Sequence, residues 1–281
     1  NDINGNLKLT YKLNKNFDFL VRTQVTTYDM LRTEKMPYSA HPYGREEGKG
    51  DYREDRRAMF ENNTDALITY QNGHVYKDIS VRASVGGNIR SFKYNSSFTT
   101  TDYLNVPGLY AFSNSRNPIR SSSYRADMLV LSGYGYLDIG FSKYANLSLT
   151  GRYDKLSTLP DGNNLYFYPS ASLSTVVTDY LKLPDFISFL KFRGSYANVK
   201  GGLTNPTIGA TPQASYPLGY GAEYNSSYDG PTYENSATYT TPILYDNKAG
   251  AYFTNTITNP IIQPFSSEVV EAGMDIRFMK N

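Results

Sequence analysis

The chain has 281 residues, of which 19% are charged, below the roughly 25% usual in soluble domains. A formal net charge of +2 with no basic stripe leaves no footprint for nucleic acid. The absence of cysteine excludes disulfide frameworks and thiolate metal sites. Mean hydropathy is −0.50, and no run approaches the roughly 18 apolar residues of a membrane helix, which says nothing against a barrel whose strands are apolar on one face only.

Strand patterns of about ten residues recur along the chain, each alternating in polarity as a strand with two unlike faces must. "GNLKLTYKL" (5–13) sets Leu7, Leu9, Tyr11 and Leu13 against Lys8, Thr10 and Lys12. "FDFLVRTQVTTY" (17–28) sets Phe17, Phe19, Val21 and Val25 against Asp18, Arg22 and Gln24. "TDALITY" (64–70) is weaker, and "ISVRASVGGNIR" (79–90) sets Ile79, Val81, Ala83 and Val85 against Arg82, Asn88 and Arg90. "DMLVLSGYGYL" (127–137) is apolar throughout and has no readable phase. "YANLSLTGRYDKL" (144–156) follows, with Leu147, Leu149 and Tyr153 opposite Ser148, Thr150, Arg152 and Asp154. Then come "LYFYPSASLSTVV" (165–177), "FLKFRGSYANV" (189–199) and "VVEAGMDIRFM" (269–279). Helical periodicity is faint and confined to "TDYLKLPDFI" (178–187). The chain therefore reads as all-β, with about nine strands.

The connections separate two architectures. Short turns at 14–16, 71–78 and 138–145 alternate with connections expected at about 29–60, 92–125 and 200–267. Structureless loops beyond about 15 residues are uncommon in compact domains. Short turns on one side and long loops on the other are the mark of an outer-membrane barrel, where ten residues at a tilt near 40° rise roughly 25 Å. Aromatics gather near strand ends (Phe17, Tyr28, Tyr70, Tyr76, Phe141, Tyr144, Phe189), as girdles at two interfaces would. A secreted β-sandwich adhesin or carbohydrate-binding module is the alternative. With an odd strand count, no initiator Met and no leader-like start in "NDINGNLKLT", residues 1–281 are expected to form an incomplete portion of one antiparallel transmembrane β-barrel domain.

Two segments carry a family resemblance. "KYANLSLTGRYDKLSTLPDGNNLYFYPSASLS" and "FISFLKFRGSYANV" resemble SusC/RagA-like TonB-linked outer-membrane transporters through Lys143, Tyr144, Leu147, Arg152 and Asp154. The resemblance continues through Tyr168, Pro169, Ser170 and Ser172, then Leu190, Lys191, Arg193, Ser195 and Tyr196. "TNPIIQPFSSEVVEAGMDIRFMKN" is similar through Asn259, Pro260, Glu271, Gly273, Asp275, Phe278 and Asn281. It implies a TonB-dependent receptor with a barrel of about 22 strands around an N-terminal plug. It further implies residence in the outer membrane of a Gram-negative bacterium and active import of a nutrient, glycan or peptide. The implied partners are a SusD-like surface lipoprotein, the TonB-ExbB-ExbD complex acting through regions outside this chain, outer-membrane lipid and a polar oligomeric substrate.

Nothing in the sequence calls for an enzyme or a cofactor. His41 and His74 are too few for a catalytic or metal cluster, and H-E-x-x-H, G-x-S-x-G and P-loop patterns are absent. "PDGNN" (160–164) lacks the alternating acids of a calcium loop and reads as a type I turn. "GREEGKGDYREDRR" (44–57) reads as a solvated loop tip, with contact to an outside partner as the alternative. The charged parity of the strands matters more. Arg22, Arg82, Arg90, Arg152, Asp154, Lys191, Arg193, Glu271, Asp275 and Arg277 are the candidate lumen-facing set. They would solvate the interior, bridge to a plug or touch a passing substrate. Tyr216, Tyr220, Tyr224, Tyr228 and Tyr233 are the candidate extracellular-loop contacts to substrate or lid.

Overall fold

The structure is a computed structural model and describes residues 2–39, 47–202, 239–240, 250–253 and 259–279. Eight strands follow one another as β1 (Asp2–Lys12), β2 (Phe17–Met36), β3 (Asp51–Tyr76), β4 (Ile79–Leu104), β5 (Ser115–Phe141), β6 (Ala145–Leu156), β7 (Leu165–Val176) and β8 (Ile187–Gly201). Two-residue strands β9 (Tyr239–Thr240) and β10 (Tyr252–Phe253) pair only with each other, and β11 (Phe265–Phe278) ends the described chain. The main sheet has nine antiparallel strands in the order β1-β2-β3-β4-β5-β6-β7-β8-β11, and its outer strands β1 and β11 do not pair. It is one continuous open sheet. Among the described residues no second sheet packs on it, which displaces the sandwich alternative.

All nine expected strands are present, but four are much longer than ten residues. β2 has 20 residues, β3 and β4 have 26 each, and β5 has 27. The expected loops at 29–60 and 92–125 are therefore mostly strand, and the true connections are 37–50 and 105–114. A strand of 26 residues at the barrel tilt climbs about 65 Å, against an apolar band of about 25 Å. Beyond the band neither face needs to be apolar, so the period-2 signal fades and the segment looks like loop. The run 44–57 is the sharpest case: Asp51, Arg53, Asp55 and Arg57 are buried on one face of β3, not displayed on a loop tip.

The meander sends 13–16, 77–78, 142–144 and 177–186 to one edge and 105–114 and 157–164 to the other, where the paired strand ends Met36 and Asp51, and Gly201 and Phe265, also lie. The first turn is fixed by Asn14, whose Oδ1 accepts from the N–H groups of Asn16 at 2.8 Å and Phe17 at 3.0 Å. The faint helical stretch becomes a single 3-10 turn, Val177–Asp179. In the 105–114 connection the buried Asn114 donates to the carbonyls of Val106 (2.9 Å) and Leu109 (2.7 Å) and accepts from the Val106 N–H. One side chain thus replaces the backbone pairing that a short loop lacks. "PDGNN" closes with Asn163 N–H donating to Pro160 O, but Gly162 has φ +93° at the third position, so the turn is type II.

Register sorts the side chains. The pairs Tyr11↔Phe19, Phe19↔Ile68, Ile68↔Val85, Val85↔Gly135, Leu137↔Leu149, Leu149↔Ala171, Ala171↔Tyr196 and Tyr196↔Val270 carry one face across all nine strands. That face is apolar and open to its surroundings: Leu7 is 69% exposed, Val85 71% and Val270 78%. An exposed apolar belt nine strands wide is far beyond the patch a soluble monomer leaves uncovered. Register also phases the segment with no readable phase: Leu129, Leu131, Leu137 and Ile139 lie on the belt, and Met128, Val130, Tyr134 and Tyr136 on the opposite face. Aromatic pairs mark the short-turn edge, with Phe17–Tyr70 at 5.0 Å, Tyr144–Tyr180 at 6.1 Å and Phe186–Phe278 at 6.4 Å.

Candidate functional site: the polar face of the sheet

Register places all ten candidate charged residues on the face opposite the belt. Arg22 pairs with Asp65, Arg82 with Asp138, Arg90 with Val130, Arg152 with Tyr168, Lys191 with Asp275 and Arg193 with Gly273. Period-2 alternation does this without further instruction, because each strand that shows leucine or valine to the belt must show its intervening residues to the other side.

The ten do not form one cluster. Around β2–β6, Arg22, Arg90, Arg152 and Asp154 are held by partners within the sheet, while Arg82, opposite Asp138, makes no ion pair among the described residues. Arg22 Nε donates to Asp65 Oδ1 at 2.9 Å, and Arg90 Nε to Glu61 Oε1 at 2.6 Å. Arg152 donates to Asp154 Oδ1 at 2.7 Å and to Ser132 Oγ at 2.8 Å, while the Tyr168 hydroxyl donates to Asp154 Oδ2 at 2.6 Å. Asp154 is thereby satisfied at both oxygens although only 6% exposed, the condition under which a buried carboxylate is tolerated. Tyr134 ties two of these groups together: its hydroxyl reaches Asp65 Oδ2 at 3.5 Å, and the Arg152 guanidinium lies 5.7 Å from its ring centre. Gly86 on β4 makes room for that ring, since a Cβ there would sit 2.9 Å from both Leu67 Cδ1 and Tyr134 Cε2.

On β8 and β11 the arrangement differs. Lys191, Arg193, Glu271, Asp275 and Arg277 form no ion pair among the described residues, although Lys191 and Asp275 stand directly opposite. Arg277 rests against the Phe189 ring at 5.0 Å. Lys191, Arg193 and Glu271 line an open groove with Ser172, Ser174 and Ser195. A second groove at the short-turn edge gathers Lys15, His74, Arg82 and Asp138.

The polar face also carries features that sequence reasoning missed. An apolar cluster of Met59, Phe92, Tyr94, Met128, Val130, Leu156, Leu159 and Tyr166 lies on it, so this face is not polar throughout. Beyond the cluster, Asp55 accepts from Arg57 at 3.2 Å, the Arg53 guanidinium lies 4.9 Å from the Phe98 ring centre, and Thr101 donates to Asp51 at 3.3 Å. Every second residue from Asp51 to Asp65 falls on this face, an alternation visible in the sequence but masked by Glu54 and Arg56 on the other parity. On the strand extensions the Tyr52 hydroxyl is pushed above its ordinary pKa by its 2.7 Å hydrogen bond to Glu54 and by burial. Glu47 is held below the usual carboxylate range by the Lys49 ammonium and by Arg116 at 3.1 Å. His41 and the loop tyrosines Tyr216, Tyr220, Tyr224, Tyr228 and Tyr233 lie outside the described residues.

One antiparallel sheet with an exposed apolar belt, a charged opposite face, and turns and long connections sorted to two edges has the architecture of a transmembrane β-barrel segment. The chain is similar in fold to the RagAB peptide importer in its "closed-closed" state, with a TM-score of 0.78 at 15% identity over 100% of this chain. The RagAB peptide transporter superposes with a TM-score of 0.78 at 14% identity over 99%, and the importer in its "open-open" state with 0.77 at 15% over 99%. The chain spans 28% of the length of each of those chains. No protein-family model and no curated protein matches it.

Proposed function

We propose that the chain forms part of the barrel wall of a SusC/RagA-like, TonB-dependent outer-membrane importer that takes up a polar oligomer, glycan or peptide, from beneath a SusD-like surface lipoprotein. The observation that carries this is the sorting of side chains across nine strands, with an uncovered apolar belt on one face and all ten charged candidates on the other. The fold likeness to the RagAB peptide importer supports it. In this reading the belt meets lipid, the charged face lines the lumen, and the edge that carries 105–114 and the strand ends Met36, Asp51, Gly201 and Phe265 faces outside the cell.

Import here is transport rather than chemistry. The β2–β6 wall, where Arg22, Arg90 and Arg152 are spent on ion pairs within the sheet, is a surface that a polar solute slides past. The β8/β11 wall offers charges of both signs to whatever fills the lumen, a plug or a passing substrate. Contacts with TonB-ExbB-ExbD belong to regions outside this chain.

The test uses the full-length protein in bilayers, labelled at Leu149→Cys and at Ser148→Cys and read with a quencher on the acyl chains. Quenching at 149 with protection at 148 is expected. Equal quenching at both, or none at either, overturns the membrane reading. Uptake of fluorescent peptides and oligosaccharides by cells carrying or lacking TonB then separates the substrate classes.

A further inference from the structure

Where the belt ends toward the long-connection edge, the outward face of β2–β5 changes character. Above Phe60, Ile89 and Leu129 the same face carries Asp29, Arg56, Lys93, Asn95, Ser97, Ser123 and Arg125. A groove opens there, lined by Asp29, Arg56, Asn95, Ser97, Ser123 and Arg125. Arg56 stands opposite Ser97, Ser97 opposite Ser123, and Asn95 opposite Arg125, so the two arginines flank a floor of hydroxyls and an amide. They sit two strands and two residues apart, about 12 Å between Cα atoms at ordinary sheet spacings, within the combined reach of two arginine side chains. Arg125 is steered by Asp127, at 2.8 and 3.0 Å, and remains well exposed. Arg56 is exposed, with Lys93 also exposed nearby on the same face.

We propose that this groove binds the phosphorylated headgroup of an outer-leaflet lipid. The inference rests on the membrane reading above, and three features select the ligand. The groove lies on the belt face, continuous with the surface that acyl chains would cover, so a ligand anchored in the bilayer reaches it and a substrate in the lumen does not. It sits where the apolar belt gives way to charged and hydroxyl side chains, with Leu31 and Ala58 as the apolar part of its lining, which is the depth of a headgroup. Its arginine pair presents planar donor forks that match phosphate oxygens, with Asn95, Ser97 and Ser123 supplying neutral donors between them. Asp29 and Asp127 leave a net positive rim once Arg56, Lys93 and Arg125 are counted, and Asp127 spends its charge on orienting Arg125.

The experiment uses full-length protein in detergent, titrated with diphosphoryl lipid A, with lipid A stripped of its phosphates and with inorganic phosphate, adducts being read by native mass spectrometry. Diphosphoryl lipid A is expected to bind at least tenfold better than the stripped lipid, and inorganic phosphate is expected not to displace it. Arg56→Ser with Arg125→Ser should lower occupancy at least tenfold, whereas the charge-matched Lys8→Ser with Lys12→Ser on the opposite face should leave it unchanged. Ser123→Phe, which fills the groove and keeps both arginines, should lower it as well and covers the case in which the double variant fails to fold. Equal binding by all variants overturns the proposal, and so does displacement by inorganic phosphate at comparable concentration, which would mark a free-anion site. Quenching at position 149 with unaltered lipid binding sinks this inference alone, while loss of quenching sinks the membrane reading beneath it.

Discussion

The two walls of the polar face were built from the same alternation and came out differently. In β2–β6 most candidate charges on the face meet a partner two residues along or one strand across: Arg22 with Asp65, Arg90 with Glu61, Arg152 with Asp154, while Arg82, opposite Asp138, makes no ion pair among the described residues. In β8 and β11 five charges share one patch without an ion pair among the described residues. The distinction follows from what lies between the charges. Tyr134, Tyr168 and Ser132 fill the space around Arg152 and lower the local polarity, so a pair there is shielded from water and holds its geometry. Around Arg193 and Glu271 the neighbours on this face are Ser172, Ser174, Ser195 and Gly273, too small to exclude water, and an exposed pair gains only about 0–1 kcal/mol. Small residues leave charges free for something else to bind.

Both walls presume lipid behind them, and the largest effect tests that. Leu149→Arg on the belt face of β6 should destabilise the full-length protein by about 2–4 kcal/mol near the midplane, whereas Ser148→Arg, one residue away, should cost far less. Urea titration of the protein in detergent reads both. Similar costs at the two positions would remove the difference between faces on which the wall comparison stands.

The next effect is smaller and internal to the paired wall. Asp154→Asn withdraws a carboxylate that accepts from Arg152 and Tyr168, leaving a part-buried guanidinium without its counter-charge. A cost of about 1–3 kcal/mol is expected, the range for stranding a buried hydrogen-bonding group. Arg22→Gln should cost less, about 0–1 kcal/mol, because the Arg22 side chain is 60% exposed. If Arg22→Gln proves the more damaging, burial is not what separates the pairs. Gly86→Ala belongs beside these, since its Cβ would press first on the Ala66 carbonyl oxygen at 2.5 Å and then on Leu67 and Tyr134, and overpacking costs about 1–3 kcal/mol.

How much of this was legible in the sequence divides along the membrane band. All nine main-sheet strands could be read because an apolar face and a polar face on one sheet impose a strict period of two. The extensions of β2 to β5 could not, because there the buried parity mixes polar with apolar residues: in "RSFKYNSSFTTTDYL" the buried side is Phe92, Tyr94, Ser96, Phe98 and Thr100, so burial alternates while polarity does not. The face of every charged candidate was legible from parity, but not its partner. Asp65 and Glu61 lie 43 and 29 residues from the arginines they meet, and only register brings them opposite or diagonal to one another. The apolar cluster around Tyr94 and Leu156 was hidden for a related reason, since isolated apolar residues on a polar parity look like noise until five strands place them side by side. "PDGNN" shows the limit at the scale of one turn: Gly162 permits type I and type II alike, and only its φ of +93° chooses.

The smallest expected effect on folding is also the one that separates the two walls by function. Glu271→Gln combined with Arg193→Gln removes one charge of each sign from the open wall, keeps net charge, and breaks no ion pair among the described residues. Stability should stay within about 0.5 kcal/mol of the parent, as for a surface substitution away from any buried network. Uptake should not be spared if these charges meet the plug or the substrate. A loss of TonB-dependent uptake of charged peptides, with neutral oligosaccharides unaffected, would assign the open wall to substrate. An equal loss for every solute would assign it to the plug, since a misplaced plug impairs all transport alike. Full uptake of both, with stability unchanged, would mean that Arg193 and Glu271 only solvate the lumen, and at these two positions the difference between the walls would then be one of packing and not of use.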